Sequence, residues 1–317
     1  KCFQKGAGYF TIDVVSKKGE QTSMGILAFD FGGSAVKYGY WNGVSLEGTG
    51  QFPTPDTWEK MKTDLHQIYD SLSATLSIEG IAISSPGVVN NEKQRIEGIS
   101  AIPYIHGFNI FEELEQLFCL PVTIENDANC AGMAEFYEGA AKAYQNVAFV
   151  VIGTGVGGAV FMDGKIHKGA HLYGGEFGLM LLDNNQTFSQ LGTAVSMAWR
   201  YCERKDLAKT SYSGKEVFAL AEQGDQIAKE EVDRFYDYLT KGLFSIQFTF
   251  DPEAIIIGGG ISAKKDLLKE LNQRMKKLTT RYELNDFDPQ LLLCDYRNEA
   301  NLIGAAANFF ATARGDS

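Results

Sequence analysis

A glycine pair set directly behind an apolar run and an acidic residue constrains this chain most. Residues 25–37 read GILAFDFGGSAVK, so an apolar stretch enters Asp30, then Gly32, Gly33 and Ser34, with Lys37 three positions on. The pattern predicts a strand, a tight turn and a second strand. Phosphate oxygens can approach the backbone N–H groups of such a turn closely, because glycine has no side chain to hold them off. Asp30 beside the turn is suited to hold Mg²⁺ through water. Ordinary hairpins also use Gly-Gly, so the string acquires a function only from the rest of the chain.

A second string, IENDAN at 124–129, takes its meaning from its position. Residues 120–125 predict a short strand behind Pro121, and the Ala-, Met- and Glu-rich residues 128–137 predict a helix. Asp127 therefore stands at or next to a helix N-cap. Taken alone, the pattern favours a capping aspartate with Asn126 in the turn. The other reading is a general base, kept ionised by the positive end of the helix and aimed at a sugar hydroxyl.

Two further glycine runs follow strands. Residues 147–152 form a β-run ending in Gly153, Thr154, Gly155, Val156, Gly157 and Gly158, with 159–162 as the returning strand and Asp163-Gly164 as its turn. These glycines open a strand rather than a helix, and neither a dinucleotide-binding acid nor a Gly-Lys-Ser/Thr follows. The run reads as a second phosphate hairpin. Residues 254–257 are an apolar strand entering Gly258, Gly259 and Gly260. A triple glycine lets a flat purine or ribose lie against bare backbone, though it serves equally as a tight turn.

Together with Ser85-Pro86-Gly87 and Gly175-Glu176-Phe177-Gly178, these strings resemble, in order, the ROK family of bacterial sugar kinases, repressors and open reading frames. The resemblance runs from Met24 to about Phe310. It implies an α/β chain with the two-domain actin-like ATPase (ribonuclease H-like) fold and a cleft between the domains. It also implies transfer of the γ-phosphoryl group of ATP, with Mg²⁺, to a sugar hydroxyl. On this resemblance Asp127 is the base, Asn126 and Glu176 bond sugar hydroxyls, and Ser85, Pro86 and Gly87 line the sugar. Asp30, Gly32, Gly33, Ser34, Lys37, Gly153, Thr154, Gly155, Gly157, Gly258, Gly259 and Gly260 would surround ATP. Ser34 stands where the family usually has threonine and keeps the hydroxyl.

The departures carry information too. Zinc-containing members follow the Gly-Glu-x-Gly loop with a histidine and a cysteine cluster. Here Leu179 takes the histidine position, and residues 180–196 hold no cysteine. Cys2, Cys119, Cys130, Cys202 and Cys294 have no paired spacing for a tetrahedral site, so no zinc is expected. In typical glucokinases of the family that histidine contacts the anomeric side of the sugar. Leu179 either is merely tolerated or opens the pocket beyond C1 to an aglycone. ENDANC, GGEFG with Leu179-Met180, and residues 190–197 look most like the β-glucoside kinase branch, which acts on the 6-hydroxyl of a β-glucoside or glucose. N-acetylmannosamine or another hexose is the alternative acceptor.

Length and charge fit this reading. The 317 residues suit two domains, and 44% hydrophobic residues supply substantial cores. A formal charge of −11 argues against extended contact with nucleic acid. Five scattered cysteines suit a reducing, cytoplasmic location, and no apolar stretch reaches the length of a membrane span. ATP and sugar are the expected partners; a homodimer is admitted but not required.

Residues 1–23 fall outside the resemblance, lack the apolar core of a secretory signal and read as an extension outside the fold, with Met24 as the natural start. The expected domains are 24–121, joined by a last helix at 299–317 packing back on it, and 122–298. Helices are expected at 58–71, 111–118, 192–203, 215–223 and 226–250, and strands include 80–84. His66, His106, His167 and His171 show no ligand spacing and read as solvated or structural. The aromatic series from Phe235 to Phe250 reads as helix packing. A ROK-type repressor would need an N-terminal helix-turn-helix, for which 23 residues are too few. The retained Asp127 also argues against a repressor. A sugar-binding protein without turnover is the remaining alternative, raised by Ser34 in place of the usual threonine and opposed by the hydroxyl that serine keeps.

Overall fold

Six consecutive buried residues, Ile26–Phe31, form strand β1, and the rest of the first sheet is built around it. The computed structural model describes residues 25–314, and these divide into two units, 25–137 with 298–314, and 138–297. In the first unit β1 pairs antiparallel with β2 (Ala35–Trp41), which pairs with β3 (Leu46–Pro53). Helix α1 (Trp58–Ser73) is capped by Thr57, whose hydroxyl accepts from the backbone N of Lys60. It leads to β4 (Gly80–Ser85), parallel to β1. A small hairpin of β5 (Val88–Asn90) and β6 (Arg95–Glu97) precedes α2 (Ile110–Phe118), β7 (Val122–Asn126) and α3 (Asp127–Tyr137). The sheet order is β3-β2-β1-β4-β7. Strands β1 and β4 are buried along their whole length, as parallel strands covered on both faces are.

The units divide after Tyr137, not after Pro121 as the sequence led us to expect. Strand β7 is the fifth strand of the first sheet, and the ladder already begins at Pro121, whose carbonyl accepts from the backbone N of Ile81. A strand with no partners of its own in the second unit cannot leave the sheet that satisfies its backbone.

The second unit repeats the same plan. Strands β8 (Val147–Ile152), β9 (Val156–Met162) and β10 (Lys165–Ile166) form an antiparallel meander. After the β11 (Leu181–Asp183) and β12 (Gln186–Thr187) hairpin come helices α4 (Phe188–Leu191), α5 (Ala194–Arg204), α6 (Gly214–Glu222) and α7 (Gln226–Phe250). Strand β13 (Ala254–Gly258), helix α8 (Leu267–Arg281) and β14 (Leu291–Leu293) complete the unit, with sheet order β10-β9-β8-β13-β14. Each sheet thus has three antiparallel strands followed by two parallel ones. The helix expected at 192–203 starts at Ala194 instead, because Thr193 caps it by accepting from the backbone N of Ser196 at 3.0 Å. Strand β9 starts at Val156, three residues before the expected 159, so Gly157 and Gly158 belong to the strand.

The chain then returns to the first unit as α9 (Ala300–Arg314), packed against α3. A Cβ on Gly304 would stand 1.6 Å from the carbonyl O of Cys130, so the two helix backbones touch directly. Residues 1–24 and 315–317, with the expected extension and helix tail, lie outside the described residues.

Candidate functional site

The carboxyl ends of β1, β4 and β7 set Asp30, Ser84 and Glu125 in register on adjacent strands, with Ser85 opposite Asn126. Ligands of open α/β sheets gather at such strand ends. Asp30 is 8% exposed, and its Oδ1 accepts from Ser84 Oγ at 2.8 Å and from Asn301 Nδ2 at 2.9 Å. Neither bond uses Oδ2, which is suited to accept from a water of a hydrated cation. Mg²⁺ is typically held by one or two carboxylates plus substrate phosphates and waters. Among the described residues no group of three or more His, Cys, Asp and Glu is placed to hold a metal ion. The donor set therefore fits a cation that arrives with phosphates, not one caged by the protein.

The turn beside Asp30 is tied from two sides. Gly32 N donates to Ala35 O at 3.1 Å, and a Cβ on Gly32 would lie 2.6 Å from that oxygen. Thr54 Oγ1 donates to Gly32 O at 2.5 Å, and Thr54 N donates to Ser34 O at 3.2 Å. Gly33 and Ser34 stay exposed at the tip, and Lys37 is the register partner of Asp30.

At the start of α3 the cap and the candidate base are different residues. Asn126 is the cap: its Oδ1 accepts from the backbone N of Ala128 (2.9 Å) and of Asn129 (3.2 Å). Its Nδ2 donates to Gly87 O at 3.0 Å, which joins the Ser85-Pro86-Gly87 turn to the Asn126-Asp127 pair. Asp127 is the first residue of the helix, half-buried, with Oδ1 accepting from Ala128 N at 2.8 Å. The helix N-terminus favours its charged form. Gly87 has φ 98°, and a Cβ there would meet Ile96 Cγ2 at 2.8 Å and His106 Cε1 at 3.0 Å. His106 supports the turn from a position fixed by Ser100 Oγ (2.7 Å) and Ile96 O (3.2 Å). Nearby, burial pushes the Cys130 thiol well up, and the carboxylates of Glu125, Asp30 and Asp127 push it further, so the thiol stays neutral.

In the second unit the other three predicted strings converge. Gly259, φ 84°, would place a Cβ 2.3 Å from Ile152 O, so the triple glycine abuts the root of the hairpin at 153–158. Gly258 is in register with Val151. Gly153 N donates to Gly155 O at 2.9 Å, leaving Gly153 and Thr154 exposed at the tip. The Gly-Glu-Phe-Gly loop lies along β9: a Cβ on Gly175 would be 2.7 Å from Gly158 O, and one on Gly178 2.1 Å from Val156 O. Ser189 Oγ accepts from Val156 N at 2.9 Å and fixes the start of that strand. Glu176 is solvent-accessible as a residue, yet partial desolvation of its carboxyl raises it above the ordinary range. Leu179, 64% exposed, presents an apolar surface beside it, as do exposed Tyr173 and Leu181.

Nothing in the sequence pattern singled out Ser84, Asn301, Thr54 or Ser189, whose bonds cross long stretches of chain. Glu125 left a readable sign, an acid directly after the β-branched residues Val122, Thr123 and Ile124 of the strand.

A family model described as the ROK family matches residues 27–311. A beta-glucoside kinase of Listeria monocytogenes serovar 1/2a is 32% identical over 297 residues, 90% of this chain and 97% of that protein. Among solved structures, a ROK family protein from Streptococcus pneumoniae in complex with sucrose superposes with a TM-score of 0.82 at 34% identity, covering 92% of this chain and 100% of that one. A ROK hexokinase from Thermus thermophilus does so with a TM-score of 0.80 at 25% identity, again over 92% and 100%. The two five-stranded mixed sheets of this chain are the pair that marks the actin-like ATPase fold.

Proposed function

The chain belongs to the ROK family, and from that premise we propose that it is an ATP-dependent sugar kinase whose preferred acceptor is the 6-hydroxyl of a β-glucoside or of glucose. One observation carries the reading: Asp127 opens α3 with its carboxylate at the positive helix end, and Asn126 beside it is tied to the Gly87 turn. A base held this way is pre-positioned and kept ionised.

In the reaction, the sugar oxygen attacks the γ-phosphorus while its proton passes to the Asp127 carboxylate. The bond from the γ-phosphorus to the β,γ-bridging oxygen breaks, and ADP leaves with that electron pair. Asn126 and Glu176 bond sugar hydroxyls, and the Ser85-Pro86-Gly87 turn borders the sugar. Backbone N–H groups at Gly33 and Ser34 and at Thr154 and Gly155 meet phosphate oxygens, while Gly32 and Gly153, whose N–H groups close their own turns, leave room for the approach, with Lys37 and Gly157 at the hairpin flanks. Gly258, Gly259 and Gly260 leave room for the adenosine. When bound, Mg²⁺ neutralises phosphate charge, with Asp30 as its water-mediated anchor. Positioning and charge stabilisation account for most of the rate in such a transfer.

The β-glucoside preference is supported by the exposed apolar Leu179 and by the named relative at 32% identity. No structural zinc is part of this reading, because the loop after Glu176 carries neither the histidine nor the cysteines. The test offers glucose, cellobiose, gentiobiose, aryl β-glucosides and N-acetylmannosamine with Mg-ATP and follows ADP release. Turnover on a β-glucoside supports the reading. Turnover on glucose or N-acetylmannosamine alone removes the β-glucoside preference, and no turnover on any sugar removes the kinase.

A further inference from the structure

The junction of β7 and α3 contains a buried carboxylate with no assigned part in phosphoryl transfer. Glu125 is 1% exposed and directly precedes Asn126. Its Oε1 accepts two hydrogen bonds, from the backbone N of Asn126 at 2.8 Å and from Nδ2 of buried Asn129 at 2.9 Å. Burying a carboxylate is costly unless its charge is met by donors. Val122 and Ile124, its buried neighbours on β7, show that this strand is otherwise stabilised by apolar burial. An acidic side chain at this point is therefore explained by what it holds.

It holds the turn from which Asp127 projects. Asn126 Oδ1 already ties the end of the strand forward to Ala128 N and Asn129 N. Glu125 adds a second tie that crosses the first, from the Asn126 peptide to the Asn129 side chain. Two crossed ties fix both the peptide plane before Asn126 and the direction in which α3 leaves the sheet. That direction sets where the Asp127 carboxylate points.

We propose that Glu125, clasping Asn129, is a positioning residue for the Asn126-Asp127 pair, which rests on the kinase reading given above. A misplacement of about 1 Å costs on the order of 10²-fold in rate, so loosening this clasp reaches kcat without touching substrate.

The test uses the full chain with Glu125→Ala, Glu125→Gln and Asn129→Ala, recording kcat, KM for sugar and for Mg-ATP, and Tm. Glutamine keeps an acceptor oxygen for both bonds; alanine removes it. Glu125→Ala is expected to lower kcat by about 10- to 100-fold with the KM for Mg-ATP within about twofold. Glu125→Gln should return to within about threefold of the unsubstituted kcat, and Asn129→Ala should fall between. A purely structural role would lower Tm in the alanine variant and leave its kcat unchanged, which overturns the proposal. So does a Glu125→Gln variant no faster than Glu125→Ala. Should Glu125→Ala not fold, an Asn129→Ala variant with unchanged kcat overturns it instead. An unsubstituted chain without sugar turnover overturns the kinase reading and this proposal together, whereas turnover with unaffected variants overturns this proposal alone.

Discussion

Asn301, at the start of the last helix, donates a 2.9 Å hydrogen bond to the carboxylate of Asp30 on the first strand, 271 positions away. With Ser84 it fixes Oδ1 and so orients Oδ2. Asn301→Ala should cost about 0.5–1.5 kcal/mol of stability, the usual size for one such bond. On the role proposed for Asp30 as the anchor of a hydrated cation, it should also raise the KM for Mg-ATP several-fold, because the Ser84 bond alone then holds Oδ1. Thermal melts and initial rates at varied Mg-ATP check this. An unchanged KM would mean that the orientation of Asp30 is set elsewhere.

Asp127→Asn should fold and bind sugar, since the amide oxygen still accepts from Ala128 N at the position now held by Oδ1. Turnover should drop by roughly 10²-fold or more, the usual contribution of a general base. Near-normal turnover would reduce Asp127 to a helix-terminal residue beside the true cap, Asn126.

Contact between α3 and α9 predicts a large loss from a small change. Alanine at Gly304 would gain up to about 1 kcal/mol of helix propensity. Against that, its Cβ would stand 1.6 Å from the Cys130 carbonyl oxygen, an atom of backbone that cannot rotate away. Overpacking of this kind costs about 1–3 kcal/mol or more, so the clash decides the sign. Urea unfolding of Gly304→Ala should show lower stability; a neutral or stabilised variant would contradict the close backbone approach.

The order of glycine runs and strand ends carried the family resemblance through which the fold was legible, and some of those glycines stand where a side chain has no room. Gly259 against Ile152 and Gly32 against Ala35 are such places. The strand and helix flanking Asp127 were equally readable from composition. What local pattern could not carry was membership: β7 belongs to the first sheet through pairing with β4, a relation between segments some forty residues apart. Asn301 is hidden for the same reason, since an asparagine early in an alanine-rich helix looks like any other polar position. The division of labour between Asn126 and Asp127 needed the hydrogen bonds themselves.

Glu176 carries a pH prediction. Desolvation raises its carboxyl above the ordinary value of about 4.3, so the folded state binds this proton more tightly than the unfolded chain. Stability from this group is therefore lost as pH rises from the ordinary value through the raised one. Glu176→Gln should melt slightly higher than the unsubstituted protein near pH 8, and the gap should close by about pH 3, below both the ordinary and the raised value, where both side chains are neutral. The effect stays small because the residue keeps contact with solvent. A gap that widens on acidification would reverse the assigned direction.

The proposed preference for a glycoside over a free sugar rests on Leu179. It stands where the resemblance places a histidine that bonds the anomeric side of the sugar, and its side chain is largely exposed. Without that polar partner a free C1 hydroxyl gains less on binding, and a C1 that bears a second sugar or an aryl group loses less. The kcat/KM for cellobiose or an aryl β-glucoside should accordingly equal or exceed that for glucose. Leu179→His should move the ratio towards glucose by about 1–3 kcal/mol at most, the value of one restored polar contact in a specificity pocket. A ratio that does not move would place the discrimination away from this side chain. Efficient use of glucose or N-acetylmannosamine with no β-glucoside turnover would remove the glycoside preference and leave the sugar kinase standing.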